Sequence, residues 1–169
     1  MAEVEKAGPP PIMPVWYEQP VYYKCNRFAV QGTGGDVHWP AYSRVIDYEL
    51  EMAAIIGRQG RDIGCGEAGG YIFGYTIFTD LTARDAQAKE MGAPFGPAKG
   101  KDFDGANVLG PCIVTADEIG DPYDLTMIAR INGEEWSRGN TGSIHWPFED
   151  MIAHVSQSET LYPGEVFGS

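Results

Sequence analysis

The sequence predicts a β-rich α+β domain with about two helices. Strand-like runs outnumber helical ones, and the strongest of them, residues 71–82, is dense in aromatic and β-branched side chains. The 22 glycines and 12 prolines indicate short elements joined by many turns. A chain of 169 residues is close to the usual length of one domain, so we expect residues 1–169 to form a single domain.

The predicted elements follow one another along the whole chain. The expected strands are residues 20–25, 28–32, 45–57 and 71–82. After them we expect a strand end and a turn within 112–119, a hairpin that turns at Asn132-Gly133, and a strand that begins at residue 160. The two expected helices are residues 83–92, stopped by Gly92 and Pro94, and residues 145–157, where Pro147 suits the first turn. Residues 96–111 are expected to form a long loop that contains Lys101.

The chain is strongly acidic, with a net charge of -12 and a pI near 4.5. No basic patch is visible in the sequence, so we expect neither nucleic acid nor an anionic membrane as a partner. An anionic small substrate would then need a local positive site, formed by a metal ion or by a few lysine and arginine side chains.

Cysteine usage and hydropathy predict a cytoplasmic protein. Cys25, Cys65 and Cys112 are odd in number and far apart, without a CxxC or a zinc spacing, which is typical of a reducing compartment. No apolar run approaches the length of about 18 residues that a transmembrane helix needs. The first residues, MAEVEKAGPPP, lack the hydrophobic core of a secretory signal.

The strand predicted at residues 45–57 carries an acid at every second position: Asp47, Glu49 and Glu51. Alternate side chains of a strand share one face, about 6.5–7 Å apart, so these carboxylates repel one another. One explanation is a solvated face at the edge of a sheet, and the other is a bound cation. Glu-x-Glu in a strand is more often solvated, and the residues alone leave both explanations open.

Another acid, Asp80, lies near the end of the apolar strand predicted at residues 71–82. Together with Glu49 and Glu51 it would form an all-oxygen site, which suits Mg²⁺, Mn²⁺ or Ca²⁺ rather than zinc or copper. Zinc would need His or Cys ligands, and the three histidines have no paired ligand spacing. The candidate metal ligands are therefore Glu49, Glu51 and Asp80.

Five segments resemble, in the same order, the fumarylacetoacetate hydrolase (fumarylacetoacetase) family. They are DYELEMAAIIG, FGYTIFTDLTARDAQ, AKGKDFDGANVLGPCIVTADEI, INGEEWSRGNT and YPGEVFGS. The specific feature is the joint pattern of Glu-x-Glu, the later D-x-x-x-R-D-x-Q run and the lysine that follows it. The resemblance implies a mixed β-sandwich roll of that family's catalytic-domain type, usually assembled as a homodimer.

The resemblance also implies roles for the site residues. Glu49, Glu51 and Asp80 match the family's metal carboxylates, which usually hold Mg²⁺ and sometimes Mn²⁺ or Ca²⁺. Lys101 matches the catalytic lysine that faces the reacting substrate. The residues matched to substrate binding are Tyr23, Arg84 and Gln87, whereas Asp47 has no settled role in the pattern and is expected to lie beyond the metal.

The implied activity is Mg²⁺-dependent hydrolysis of a C–C bond in an acylpyruvate or fumarylacetoacetate-like 1,3-diketo acid, through an enolate held by the metal. One alternative is a decarboxylase, isomerase or hydratase that acts on a 2-oxo diacid of aromatic catabolism at the same site. The other alternative is a metal-binding but catalytically inactive fragment.

The chain departs from the family pattern at both ends. The family's catalytic His and Glu lie three residues apart on a mobile lid, and Glu3 falls where that Glu belongs, while the His would precede Met1. We therefore expect residues 1–19 to be the remnant of a lid and the family's C-terminal strands to be missing after residue 169. Glu3 is the second candidate catalytic residue.

Overall fold

A five-stranded sheet and two short ribbons make up the β structure in the computed structural model, which describes residues 12–93 and 95–169. The strands are β1 (Val30–Gly32), β2 (Ile46–Ile56), β3 (Gly60–Arg61), β4 (Ile72–Ala83), β5 (Asn107–Thr115), β6 (Thr126–Ile131), β7 (Glu134–Asn140), β8 (Thr160–Leu161) and β9 (Val166–Gly168). The main sheet has the order β1-β5-β4-β2-β9, with β1 and β5 parallel and the other pairs antiparallel. The ribbons are β3-β8 and β6-β7.

Six α-helices accompany the strands in the described part of the chain. They are α1 (Val15–Glu18), α2 (Cys65–Ala68), α3 (Arg84–Glu90), α4 (Ala98–Lys101), α5 (Ala116–Ile119) and α6 (Phe148–Val155). The two longest, α3 and α6, are the two helices that the sequence predicts, and the other four are single turns. The β-rich α+β class is therefore confirmed. None of the helices in residues 12–93 and 95–169 is long and apolar enough to cross a membrane.

The hydrophobic core lies between one face of the main sheet and α6. Phe148, Ile152 and Val155 are buried at helical spacing along α6. They belong to one cluster with Met52 and Ile56 of β2. Because alternate residues of a strand point to opposite faces, this packing turns the odd-numbered residues of β2 toward the other face, which carries the acids.

The pairing of β2 with β4 fixes the positions of the acids. Cross-strand partners share a face, and the register places Glu49 opposite Asp80 and Asp47 opposite Thr82. The predicted strands at 45–57 and 71–82 agree with the observed β2 and β4 to within about one residue at each end. The alternating acids of β2 and the aromatic and β-branched residues of β4 were sufficient for this because both signals are local to the strands.

The strand predicted at residues 20–25 is wrong. These residues have no strand structure, and the side chains of Tyr23 and Lys24 instead contact Asp80 and Glu159. Trp146 Nε1 donates to the carbonyl of Trp16 at 2.7 Å, and Asp102 accepts from the backbone of Asn26 at 2.9 Å. Aromatic composition favours a strand, but a strand needs a neighbour to pair with, and here side-chain contacts with other elements hold the segment.

Two other expectations need correction in detail. Of residues 28–32 only 30–32 are a strand, because Asn26 accepts from the backbone of Phe28 and caps a 3-10 helix at Arg27–Ala29. The predicted loop at 96–111 contains α4 and the start of β5, so Lys101 lies at the end of a helix and not in a loop. The predicted hairpin turn is confirmed, with positive φ at Asn132 and Gly133.

Helix α4 is held against α3 at a close backbone approach. Both oxygens of the Glu90 carboxylate accept from backbone N–H groups at the start of α4, at 2.8 and 2.9 Å. A Cβ at Gly100 would lie 2.8 Å from the Cα of Gln87. Only glycine fits at this position without moving one helix, and Lys101 is the next residue.

Replacing Gly100 with Ala is therefore expected to destabilise the chain by about 1–3 kcal/mol, the usual cost of overpacking. The matched control is Gly66→Ala in α2, where nothing lies within 4 Å of the added Cβ and the better helix propensity of alanine applies. Urea unfolding measures both variants. Equal stabilities of Gly100→Ala and Gly66→Ala would contradict the close approach of α4 to α3.

Candidate active site

Three carboxylates converge on the face of the sheet opposite the core. Each of Glu49, Glu51 and Asp80 offers one oxygen, and these oxygens all lie within 4.8 Å of one another. Glu49 and Asp80 face each other across β2 and β4, and Glu51 is the next residue on the same face of β2. The three metal ligands that the sequence predicts are thus brought together in the structure.

Asp80 shows that this donor set fits a cation. The residue is only 2% exposed, and its Oδ1 has no hydrogen-bond partner among the described residues. An unpartnered buried carboxylate oxygen is costly, and a divalent cation would satisfy it. Because all three donors are carboxylates, the group they fit is a hard cation such as Mg²⁺, Mn²⁺ or Ca²⁺.

Lys101 lies inside the acidic cluster. It is 4% exposed, and its Nζ donates to Glu49 Oε2 at 2.7 Å, to Asp80 Oδ2 at 2.6 Å and to Thr82 Oγ1 at 2.9 Å. These three bonds use all the hydrogens of the ammonium group. Lys101 therefore offsets the negative charge of the cluster and is held rigidly between Glu49 and Asp80.

Arg84 links the cluster to Asp47. Its Nη1 donates to Glu49 Oε1 at 2.6 Å and to Gln87 Oε1 at 3.0 Å. Its Nε and Nη2 both lie 2.9 Å from Asp47 Oδ2. Asp47 thus contacts the guanidinium of Arg84 and lies outside the cluster of Glu49, Glu51 and Asp80, as expected. The negative charge of Asp47 is therefore balanced by Arg84. Arg84 and Gln87 stand one helical turn apart on α3, as neighbours on one helix face do.

Tyr23 reaches the site from the N-terminal segment. Its hydroxyl donates to Asp80 Oδ2 at 3.0 Å, and its ring centroid is 5.9 Å from Lys101 Nζ. Burial, followed by the charge of Asp80, raises the pKa of the Tyr23 phenol well above its ordinary value, so the group stays protonated. Glu3, the other predicted catalytic residue, lies outside the described residues.

The carboxylates differ in their affinity for protons. Burial, reinforced by the charges of Asp80 and Glu49, raises the pKa of Glu51 to about 8. Burial also raises the pKa of Asp80, against the opposing effect of its bond from Lys101. Burial alone would raise the pKa of Glu49 too, but hydrogen bonds from Lys101 and Arg84 outweigh it, and the net pKa is lowered. The acidic cluster of the metal-free chain therefore favours the protonated form of Glu51.

Two residues near the cluster were not predicted from the sequence. Thr82 accepts from Lys101, and its position two residues after Asp80 on the same strand face was a usable signal. Asn107 is the cross-strand partner of Asp80 on β5. No signal in the sequence could have found it, because the pairing of β4 with β5 is a tertiary feature.

Fold and site define an α+β domain whose sheet carries an acidic cluster able to hold a divalent cation. The chain belongs to the fumarylacetoacetate hydrolase family: the family's sequence model, described as fumarylacetoacetate (FAA) hydrolase C-terminal, matches residues 2–169. The resemblance seen in the sequence is thereby confirmed, and so is the fold of the family's catalytic domain.

Three relatives illustrate the range of the family. Human mitochondrial oxaloacetate tautomerase FAHD2A is 36% identical over 149 residues, which cover 88% of this chain and 47% of the human protein. A 5-carboxymethyl-2-hydroxymuconate delta-isomerase from Mycobacterium smegmatis has a TM-score of 0.81 at 31% identity, covering 89% of this chain and 57% of that one. Fumarylpyruvate hydrolase from Pseudomonas aeruginosa, in complex with Mn²⁺ and pyruvate, has a TM-score of 0.78 at 26% identity, covering 87% and 64%.

These names span a tautomerase, an isomerase and a hydrolase. The family is enzymatic, but membership alone does not choose among its reactions. The chain spans about half the length of the curated relatives named as tautomerases, 47% in the human case.

Proposed function

We propose that this chain forms the metal-binding part of an enzyme that acts on a small 2-oxo or 1,3-diketo acid. The carboxylates of Glu49, Glu51 and Asp80 would hold the divalent cation, with Mg²⁺ favoured and Mn²⁺ or Ca²⁺ as alternatives. The observation that carries this proposal is the convergence of three carboxylate oxygens within 4.8 Å around a buried, unpartnered Asp80 Oδ1. The relative crystallised with Mn²⁺ and pyruvate supports both the cation and the oxo acid.

The cation, when bound, supplies the Lewis acidity that polarises a carbonyl group and favours enolate formation. Lys101 provides a fixed positive charge inside the cluster, and this charge would stabilise negative charge that develops on a substrate oxygen. Arg84 is partly exposed and is held by Asp47 and Glu49, so its guanidinium can orient the carboxylate of an oxo acid. Tyr23 keeps its proton, which its hydroxyl donates to Asp80 Oδ2.

The reaction we favour is hydrolytic C–C cleavage of an acylpyruvate or fumarylacetoacetate-like acid. Hydrolysis needs a base that activates water, and Glu3 remains the candidate for part of that role. The second candidate is isomerisation or tautomerisation of an oxo diacid, which needs proton transfer but no activated water. The human relative named as an oxaloacetate tautomerase favours this second candidate.

An activity panel separates these reactions. The 169-residue chain is incubated with an acylpyruvate, with fumarylpyruvate and with oxaloacetate, with Mg²⁺ or with EDTA, and NMR identifies the products. We expect Mg²⁺-dependent turnover that falls at least about 100-fold in Asp80→Asn, because the charge stabilisation by the metal amounts to several kcal/mol. Absence of Mg²⁺-dependent turnover would contradict the proposal, and an inactive chain that still binds the metal would favour the inactive-fragment hypothesis.

We also propose that the protein is a homodimer and lies in the cytoplasm. A homodimer is supported by large apolar side chains that stay exposed on the sheet and the β6-β7 ribbon, such as Ile77 and Trp136. Light scattering tests it, since a dimer has twice the chain mass of 18.5 kDa. A cytoplasmic location is kept as the proposal, although the human relative is named as mitochondrial.

A further inference from the structure

Asn107 is a buried amide without a hydrogen-bond partner. It is the first residue of β5 and is 0% exposed. Neither its Nδ2 nor its Oδ1 has a partner among residues 12–93 and 95–169. Within that part of the chain, the one other buried side-chain atom in the same condition is Oδ1 of Asp80.

The unpartnered atoms belong to cross-strand neighbours. Asn107 is paired with Asp80 in the register of β4 and β5, so their side chains share a face with Cβ atoms about 4.5–5.5 Å apart. Lys101 and Tyr23 both donate to Oδ2 of Asp80, which leaves Oδ1 without a donor. Asn107 is thus the cross-strand neighbour of a carboxylate that has one oxygen left for a ligand.

A purely structural role does not account for an asparagine here. Leaving a buried polar group unpaired costs about 1–3 kcal/mol, and an apolar residue of the same shape avoids that cost. Valine or leucine would also suit a β-strand better than asparagine. The amide therefore points to a hydrogen-bonding task that belongs to the acidic cluster.

We propose that Asn107 is a positioning residue for Asp80. Its Nδ2 donates to one water molecule, which donates to Oδ1 of Asp80 and holds the carboxylate in the orientation that the cation requires. Partners behind a metal ligand orient it in this way, and their loss commonly costs about 10- to 100-fold in metal affinity. This inference rests on the proposed function, because it assumes that Asp80 is a metal ligand.

The test compares two variants of equal shape. Asn107→Val removes all hydrogen bonding, and Asn107→Thr has nearly the same volume with a hydroxyl that can hold the water. Mn²⁺ affinity, measured by electron paramagnetic resonance of the free ion, is expected to fall about 10- to 100-fold in the valine variant and clearly less in the threonine variant. Urea unfolding in EDTA is expected to show the valine variant as stable as the original chain or more stable.

Thr76→Val is the matched control. Thr76 is a buried residue on β4 whose hydroxyl donates to the carbonyl of Cys112 at 2.7 Å, outside the acidic cluster. Its replacement is expected to leave the Mn²⁺ affinity unchanged. Equal Mn²⁺ affinity in all three variants and the original chain would overturn the role of Asn107 but not the metal site. Equal losses of Mn²⁺ affinity in the valine and threonine variants would also overturn the role of Asn107. Failure of the original chain to bind Mn²⁺ would overturn the metal site itself.

Discussion

Replacing Glu51 with Gln is expected to weaken metal binding and, at the same time, to stabilise the metal-free chain. The affinity for Mn²⁺ or Mg²⁺ should fall by more than about 100-fold, because the proposed site makes Glu51 a direct ligand, whose loss costs more than that of a residue behind a ligand. The gain in stability arises because Glu51 is buried beside Asp80 and Glu49, where a third negative charge is unfavourable. A neutral amide keeps the shape of the side chain and removes that charge.

The sign of the pH dependence follows from the raised pKa of Glu51. The folded chain has a pKa of about 8 there against an ordinary value of 4.5, so it binds the proton more tightly than the unfolded chain. Between these values stability falls as pH rises, since the unfolded state holds fewer protons than the folded state. The advantage of Glu51→Gln in EDTA should therefore be largest above pH 8 and vanish near pH 4.5.

Urea unfolding at the two pH extremes, with and without Mg²⁺, measures both parts of this expectation. Glu135→Gln is the control, because Glu135 is an exposed carboxylate that pairs with Arg138 on β7. It should change stability little and leave metal affinity unchanged. A Glu51→Gln chain that is less stable than the original in EDTA at pH 8.5 would contradict the charge repulsion inferred for the cluster.

Replacing Lys101 with Met is expected to make folding depend on the metal. The ammonium group is buried between Glu49 and Asp80, and removing one partner of a buried ion pair typically costs about 3–5 kcal/mol. A divalent cation restores the missing positive charge, so Mg²⁺ should raise the melting temperature of this variant more than that of the original chain. Turnover should be lost in either case, because the proposed reaction needs the fixed positive charge of Lys101.

Lys99→Met provides the comparison within the same helix. Lys99 is exposed, and its ammonium lies over the ring of Tyr42 at 4.9 Å. Its replacement should cost less than about 1 kcal/mol and should not alter the response to Mg²⁺. Differential scanning calorimetry with EDTA and with Mg²⁺ records both variants. Equal metal responses of Lys101→Met and the original chain would show that Lys101 does not balance the charge of the acids.

The sequence predicted the strands and the turn that carry the site, because their signals are local. The alternating acids indicated β2, the aromatic and β-branched run indicated β4, and Asn132-Gly133 indicated the hairpin between β6 and β7. The same alternation could not separate Asp47 from Glu49 and Glu51, because all three occupy one strand face. The difference between them depends on Arg84 and on the register with β4, both of which are tertiary features.

Other elements were not predicted correctly because contacts between parts of the chain that are distant in sequence determine their structure. The aromatic residues around Tyr23 led to the prediction of a strand. In the structure the Tyr23 hydroxyl donates to Asp80, and Trp16 in the same N-terminal segment accepts from Trp146. Helix α4 was not predicted because its surroundings are rich in glycine, which is typical of loops. One of these residues, Gly100, must be glycine because the backbone of Gln87 lies so close. The position of Asn107 opposite Asp80 depends on the pairing of β5 with β4, which no local sequence pattern specifies.

The most direct test of the metal site is the binding of Mn²⁺ to the purified chain, titrated by electron paramagnetic resonance with Asp80→Asn beside it. We expect one Mn²⁺ per chain, displaced by Mg²⁺, and loss of that binding in Asp80→Asn, since Asp80 supplies a buried oxygen that no other described residue satisfies. Absence of Mn²⁺ binding by the original chain, or equal binding by Asp80→Asn, would contradict the assignment of Glu49, Glu51 and Asp80 as a metal site.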